Sequence, residues 1–149
     1  MTSNHYLLIT NDGYDFNGST EPAFNILQRR IEEKAFPIYR TTRHKKDLKI
    51  GDTVFLYVAG HRINAGKVLY QAKISDCRKP KDTESYDVSE LGDIEFLCCL
   101  DNIIKLNPIV LKDVLIKEKL IDANNKKWGA YLMGGVKSLP INLFSKYIV

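Results

Sequence analysis

Cysteine, histidine and tryptophan are scarce in this chain, with three, three and one among 149 residues. An odd cysteine count with an adjacent pair (Cys77, Cys98, Cys99) is no disulfide framework. Those cysteines and His5, His44 and His61 make no Cys-x-x-Cys or His-x-x-x-His spacing, which argues against a tetrahedral zinc site. Core thiols kept reduced fit this usage, so a cytoplasmic protein is the expectation. Met1 to His5 carries neither the charged nor the apolar region of a secretory leader, so none is expected. No apolar run approaches the roughly 20 residues of a membrane span, and no membrane partner is expected. Five prolines and nine glycines leave no room for a long linker, so one domain over residues 1–149 is expected.

Catalytic signatures are equally thin. No Gly-Lys-Ser/Thr follows Gly134-Gly135, so that pair is not a phosphate loop. There is no nucleophile elbow and no His-Glu-x-x-His. Asp82, Glu84, Asp87, Glu90, Asp93 and Glu95 lack the periodic spacing of a calcium loop and read as a solvated acidic loop. A non-enzymatic protein with neither metal nor cofactor is the expectation.

What is present is an ordinary globular composition, 44% hydrophobic and 27% charged, long enough to bury a core. The formal net charge of +4 is modest but unevenly spread. Arg40 to Lys49 holds five basic residues against one acid, whereas Asp82 to Glu95 holds six acids and no Lys or Arg. A basic face is therefore available despite the small total.

Tyr6 to Thr10 reads as a buried strand ending at a turn, Asn11-Asp12-Gly13. Ser19-Thr20-Glu21-Pro22 reads as a helix start, and Phe24, Leu27 and Ile31 extend that helix to about Lys34. After the basic loop, Gly51-Asp52 turns the chain into Thr53 to Val58, apolar on both faces and hence central. Ala65 to Ile74 returns, with Gly66 marking a bulge or a close backbone approach. A third strand spans Ile94 to Leu100. Asn107-Pro108 predicts a short helix reaching about Leu120. Trp128 to Val136 reads as an irregular strand, and Leu139-Pro140 as the start of a terminal helix carrying Ile141, Phe144 and Ile148. Hairpin-ordered strands with a few helices predict an α+β fold: a small, partly closed, mostly antiparallel β-barrel flanked by short helices.

Two features carry a functional reading beside a plain one. The loop around Arg40, Thr41, Arg43, Lys45 and Lys46 is either a solvated turn or a phosphate-contacting element. Trp128, after Lys126-Lys127 and before Gly129, is either a core or rim aromatic or a stacking wall for a base. A cage for an extruded base also needs a second wall and polar groups for the base edge. Tyr39, Tyr57 and Tyr131 are candidate walls, and Thr10 and Asn11 are candidate edge readers.

The order of these pieces resembles the EVE domain, a relative of YTH within the PUA-like fold. The likeness rests on the first strand His5 to Thr10 and on Asp47 to Gly60 leading into Ala65 to Val68. It rests further on Ile94 to Leu100 with Ile104 and Leu106, and on Lys127-Trp128-Gly129 with Gly134-Gly135-Val136 and Leu139-Pro140. The resemblance implies a small barrel whose pocket binds a modified nucleobase. That pocket would draw on Thr10, Asn11, Tyr39, Arg40, Thr41, Tyr57, Val58, Ala59, Gly60 and Trp128. Arg43, Lys45, Lys46, Lys126 and Lys127 would meet phosphates. Where many members carry a Trp, this chain offers Tyr14, Phe16 and Tyr39. The implied partners are DNA or RNA and a separate effector protein. The related ASCH branch offers an enzymatic alternative, an amidohydrolase acting on an acylated nucleoside, with Lys67 beside Thr41 or Thr42. An unspecific RNA-binding module is the third reading.

Overall fold

The computed structural model describes residues 5–14, 17–39, 47–79, 94–121 and 135–146, with main chain only at Tyr14 and Tyr39. In chain order the elements are β1 (His5–Thr10), β2 (Gly13–Tyr14), β3 (Thr20–Glu21), α1 (Ala23–Glu33), β4 (Ala35–Tyr39) and β5 (Thr53–Val58). Then come β6 (Lys67–Arg78), β7 (Ile94–Val110), α2 (Leu111–Lys117) and β8 (Val136–Leu139). Six strands form one sheet in the order β4-β7-β6-β5-β1-β8, and β2 pairs with β3 apart from it. Every neighbouring pair in the large sheet is antiparallel except β1 with β5. The result is the expected α+β architecture, a mostly antiparallel sheet curled into a half-barrel with two helices.

All six residues of β5 are buried, as a strand between two others and covered on both faces must be. Strand alternation divides its side chains between two cores. Val54, Leu56 and Val58 join Tyr6, Leu8, Leu27, Phe36 and Ile38 on the α1 side. Phe55 and Tyr57 join Leu7, Ile9, Leu111, Val114, Leu115 and Phe144 on the α2 side. The Gly51-Asp52 turn seats the start of β5. Gly51 holds φ +93°, and the buried Asp52 carboxylate accepts the Lys49 N–H at 2.9 Å.

Curvature comes from irregular pairing. The β5–β6 register shifts around Leu69, and the β6–β7 register shifts three times along the ladder. Gly66 lies outside the strand. It supplies a φ of +83° for the β5–β6 turn, donates to the Val58 carbonyl at 2.7 Å and accepts the Leu111 N–H at 3.1 Å. Asn107 and Pro108 do not open a helix but lie within β7, at the stretch where the register with β6 slips between Tyr70 and Val68. Proline is tolerated there because irregular pairing asks no ladder N–H of it. Ile109 and Val110 then resume pairing, and α2 begins at Leu111. Residues 141–146 run as turns rather than a helix, because Asn142 adopts a φ of +65°. Phe144 is fully buried there and packs edge-on against Phe55, 4.7 Å between centroids.

His5 begins β1, with its ring 5.9 Å from that of Phe55 and its Nδ1 accepting the Asn142 N–H at 3.4 Å. Partial burial, then nearby Lys73, hold its pKa below the ordinary 6.5, with Asp52 opposing. Between the folded and unfolded pKa values the unfolded chain binds more protons, so stability rises with pH in that window. The His5 contribution is present above 6.5 and lost as pH falls toward the folded value. His5→Phe is expected to flatten this part of the profile, measured as the urea midpoint between about pH 7.5 and about pH 5. An unchanged profile contradicts the assignment.

Candidate functional site

Parallel pairing carries the C-terminal ends of β1 and β5 to the same margin of the sheet. Thr10 stands opposite Val58, and the Ala59 N–H donates to the Thr10 carbonyl at 2.9 Å. Asn11 and Gly60 then leave the sheet side by side, both exposed. Gly60 has a φ of +88°, and a Cβ placed on it would lie 2.5 Å from the Asp12 carboxylate, so glycine is required twice over.

Asp12 also starts the helix. Its Oδ1 accepts the Ala23 N–H at 2.7 Å, while the N-cap residue Pro22 offers no side-chain oxygen. The expected hydroxyl cap is absent because Thr20 and Glu21 are drawn into β3 against Tyr14 and Gly13, and Glu21 pairs with Arg29. One carboxylate thus ties the exit of β1, the exit of β5 and the first turn of α1 together.

Beneath this margin lies a guanidinium. The buried stripe of α1 is Ala23, Ile26, Leu27 and Arg30, with Phe24 and Ile31 only partly covered. Arg30 is 7% exposed. Its Nη1 donates to Oγ1 of fully buried Thr10 at 3.1 Å, and its guanidinium carbon sits 4.5 Å from the centre of the Phe36 ring. Phe36 belongs to edge strand β4, whereas β1 lies next to the opposite edge. Arg30 therefore bridges the seam where the curled sheet comes round toward itself. A planar cation suits both contacts, a hydrogen bond in its plane and a π face above it.

The expected pocket residues are placed unequally. Thr10 and Val58 are sealed, Ala59 is half-buried, and Asn11 and Gly60 face solvent. Tyr57 lies on the other face of the sheet, in the α2-side core, where burial pushes its hydroxyl pKa up to about 12. Its ring therefore does not stand beside Thr10. Tyr39 closes β4, three residues beyond Phe36 and paired with Ile94. Lys67 pairs with Val58 at the same margin. Arg40, Thr41, Thr42, Arg43, Lys45, Lys46, Lys126, Lys127 and Trp128 lie outside the described residues, as do Phe16 and Tyr131. Gly135, just before β8, meets the sheet at this margin, for the Ile9 N–H donates to its carbonyl at 2.9 Å.

Sequence reasoning missed Asp12, Arg30, Phe36 and the exposed Arg62 of the β5–β6 turn. A signal existed for Arg30, a base at helical spacing from Ala23, Ile26 and Leu27. Among the described residues no three His, Cys, Asp or Glu side chains gather as metal ligands, and no helix is long and apolar enough to cross a membrane.

Arg30→Met is expected to cost about 1–3 kcal/mol in urea unfolding by leaving the buried Thr10 hydroxyl unpaired, and Arg30→Lys to recover little of it. Full stability in Arg30→Met contradicts the bridging role. Gly60→Ala is expected to cost about 2–3 kcal/mol through strain and collision with Asp12. Asp12→Ala alone should cost about 1 kcal/mol. The double variant should be less destabilised than the sum, by about 1 kcal/mol, because the collision is gone. Strict additivity in that cycle contradicts the contact.

No protein-family model matches the chain. No curated protein matches it either. Solved structures do. Protein Atu2648 from Agrobacterium tumefaciens aligns with a TM-score of 0.54 and 17% identity, over 97% of this chain and 90% of that one. The human THYN1 protein, solved in complex with DNA containing 5-methylcytosine, aligns with a TM-score of 0.57 and 12% identity, over 97% and 95%. At such identities the likeness is one of fold, and the chain has the EVE-type, PUA-like fold that its sequence resembles.

Proposed function

We propose that this protein binds nucleic acid and accommodates a modified base at the margin formed by β1 and β5, without a catalytic step of its own. The observation that carries this reading is the shared fold, over nearly the whole of both chains, with a protein solved on 5-methylcytosine DNA. Fold alone does not fix function, so the reading also leans on the chemistry at the margin. Asn11 is exposed at the end of β1, and its amide offers donors and an acceptor to a base edge. Arg62 adds positive charge beside Gly60.

In this reading Trp128 and Tyr39 form the walls of the pocket, with Arg40 and Thr41 as polar contacts. Arg43, Lys45, Lys46, Lys126 and Lys127 meet phosphates, whose neutralisation makes affinity fall with salt. Flipping a base out costs a few kcal/mol, least in single strands. A mildly basic domain is therefore better matched to single-stranded or locally opened targets. Any downstream action falls to a separate effector protein.

The test is a binding panel of oligonucleotides with and without 5-methylcytosine, single- and double-stranded, at fixed salt. A methylated strand is expected to bind more tightly. Trp128→Ala, its fold checked by circular dichroism, should weaken that binding by about 1–3 kcal/mol. Equal affinity across the panel, or an unweakened Trp128→Ala, overturns the modified-base reading. Steep salt dependence without base preference would leave only unspecific binding.

A further inference from the structure

Cys77 on β6 and Cys98 on β7 stand directly opposite each other in the antiparallel ladder. Cys98 is fully buried in the α1-side core, and the partly exposed Cys77 packs against the same cluster, so both thiols share one face. The two thiols lie near enough to perturb one another's ionisation. Directly opposed antiparallel residues have Cα atoms about 4.5 or 5.5 Å apart, depending on pair type, and both values fall within the range disulfides span. Cys99 follows in β7, opposite Asp76, and strand alternation turns it to the other face.

We propose that Cys77 and Cys98 are a redox pair that closes reversibly into a cross-strand disulfide when the protein meets a peroxide. Interaction with the Cys98 thiol lowers the Cys77 pKa, whereas the same interaction and burial raise the pKa of Cys98. Cys77 is therefore the attacking thiolate, and its partial exposure admits the oxidant. Its sulfur attacks one oxygen of hydrogen peroxide, the O–O bond breaks, and Cys77 becomes a sulfenic acid. Hydroxide leaves and takes up the proton that Cys77 gave up. The Cys98 sulfur then attacks the Cys77 sulfur, the S–O bond breaks, and water departs with the Cys98 proton. Overall two thiols and one peroxide give one disulfide and two waters.

The bond staples the row that continues into β4, where Phe36 pairs with Cys98. Since Arg30 stacks on Phe36, oxidation acts one strand away from the seam. It also closes the chain between positions 77 and 98, which restricts the unfolded ensemble.

The experiment treats the whole protein with hydrogen peroxide, denatures it, alkylates free thiols with iodoacetamide and weighs it. The expected result is a fall from three alkylated thiols to one. The unalkylated mass should drop by about 2 Da, with recovery in dithiothreitol. Peptide mapping should join the Cys77 and Cys98 peptides, and Cys99→Ser should behave alike. Cys98→Ser should stop at a Cys77 sulfenic acid that dimedone traps. The oxidised protein should melt no lower than the reduced one. Three thiols still alkylated, a bond through Cys99 or between molecules, or a lower melting temperature on oxidation overturns the proposal.

Discussion

A single guanidinium holds the two ends of this sheet in relation. Arg30 donates to Thr10 in β1 and lies over Phe36 in β4, strands at opposite sides of a six-stranded order. Burying a cation is costly unless its donors and its surroundings answer it. The arrangement therefore holds only while α1, β1 and β4 keep their places. Those places are set by packing, since Leu27, Leu8, Phe36 and Ile38 belong to one cluster with the alternate residues of β5.

Everything near the candidate site follows from that frame. Among the described residues, the one parallel pairing in the large sheet sends β1 and β5 out at one margin. Asp12 fixes the margin by capping α1 and by occupying the space that a Gly60 side chain would need. On the far face, α2 and Phe144 cover Tyr57, Phe55 and Ile9, so the margin rests on a floor packed from below. Exposed groups such as Asn11 and Arg62 are thus presented from a rigid support, as positioned recognition demands. The Cys77–Cys98 pair adds a chemical handle on the same frame, in the row of Phe36.

Much of the fold was legible in the sequence, for identifiable reasons. The run Thr53 to Val58, apolar from Val54 onward and following a Gly-Asp turn, reads as a central strand, and its boundaries match β5 residue for residue. The 3.6-residue pattern placed α1 within a residue of its observed ends. Misreadings arose where tertiary contacts overrode local signals. Asn107-Pro108 has the chemistry of a helix start but sits at a register slip of a bent strand. Ser19 and Thr20 have the chemistry of a cap, yet Asp12 caps instead from eleven residues away. Tyr57, which the resemblance implied as a pocket residue, lies on the α2-side face, because strand alternation sends it and Val58 to opposite faces. Arg30 was hidden because a base on an apolar stripe finds its role only when the sheet curls over it.

The central claim is that the margin at the ends of β1 and β5, above the Arg30 bridge, is where nucleic acid meets this protein. Amide chemical-shift mapping during titration with a short single-stranded DNA bearing one 5-methylcytosine tests this most directly. The account predicts that the largest shifts among the described residues fall on Thr10, Asn11, Ala59 and Gly60, with the Arg30 side-chain N–H moving too. Shifts confined to the outer residues of β7, such as Ile104 and Lys105, with that margin unmoved, would contradict it.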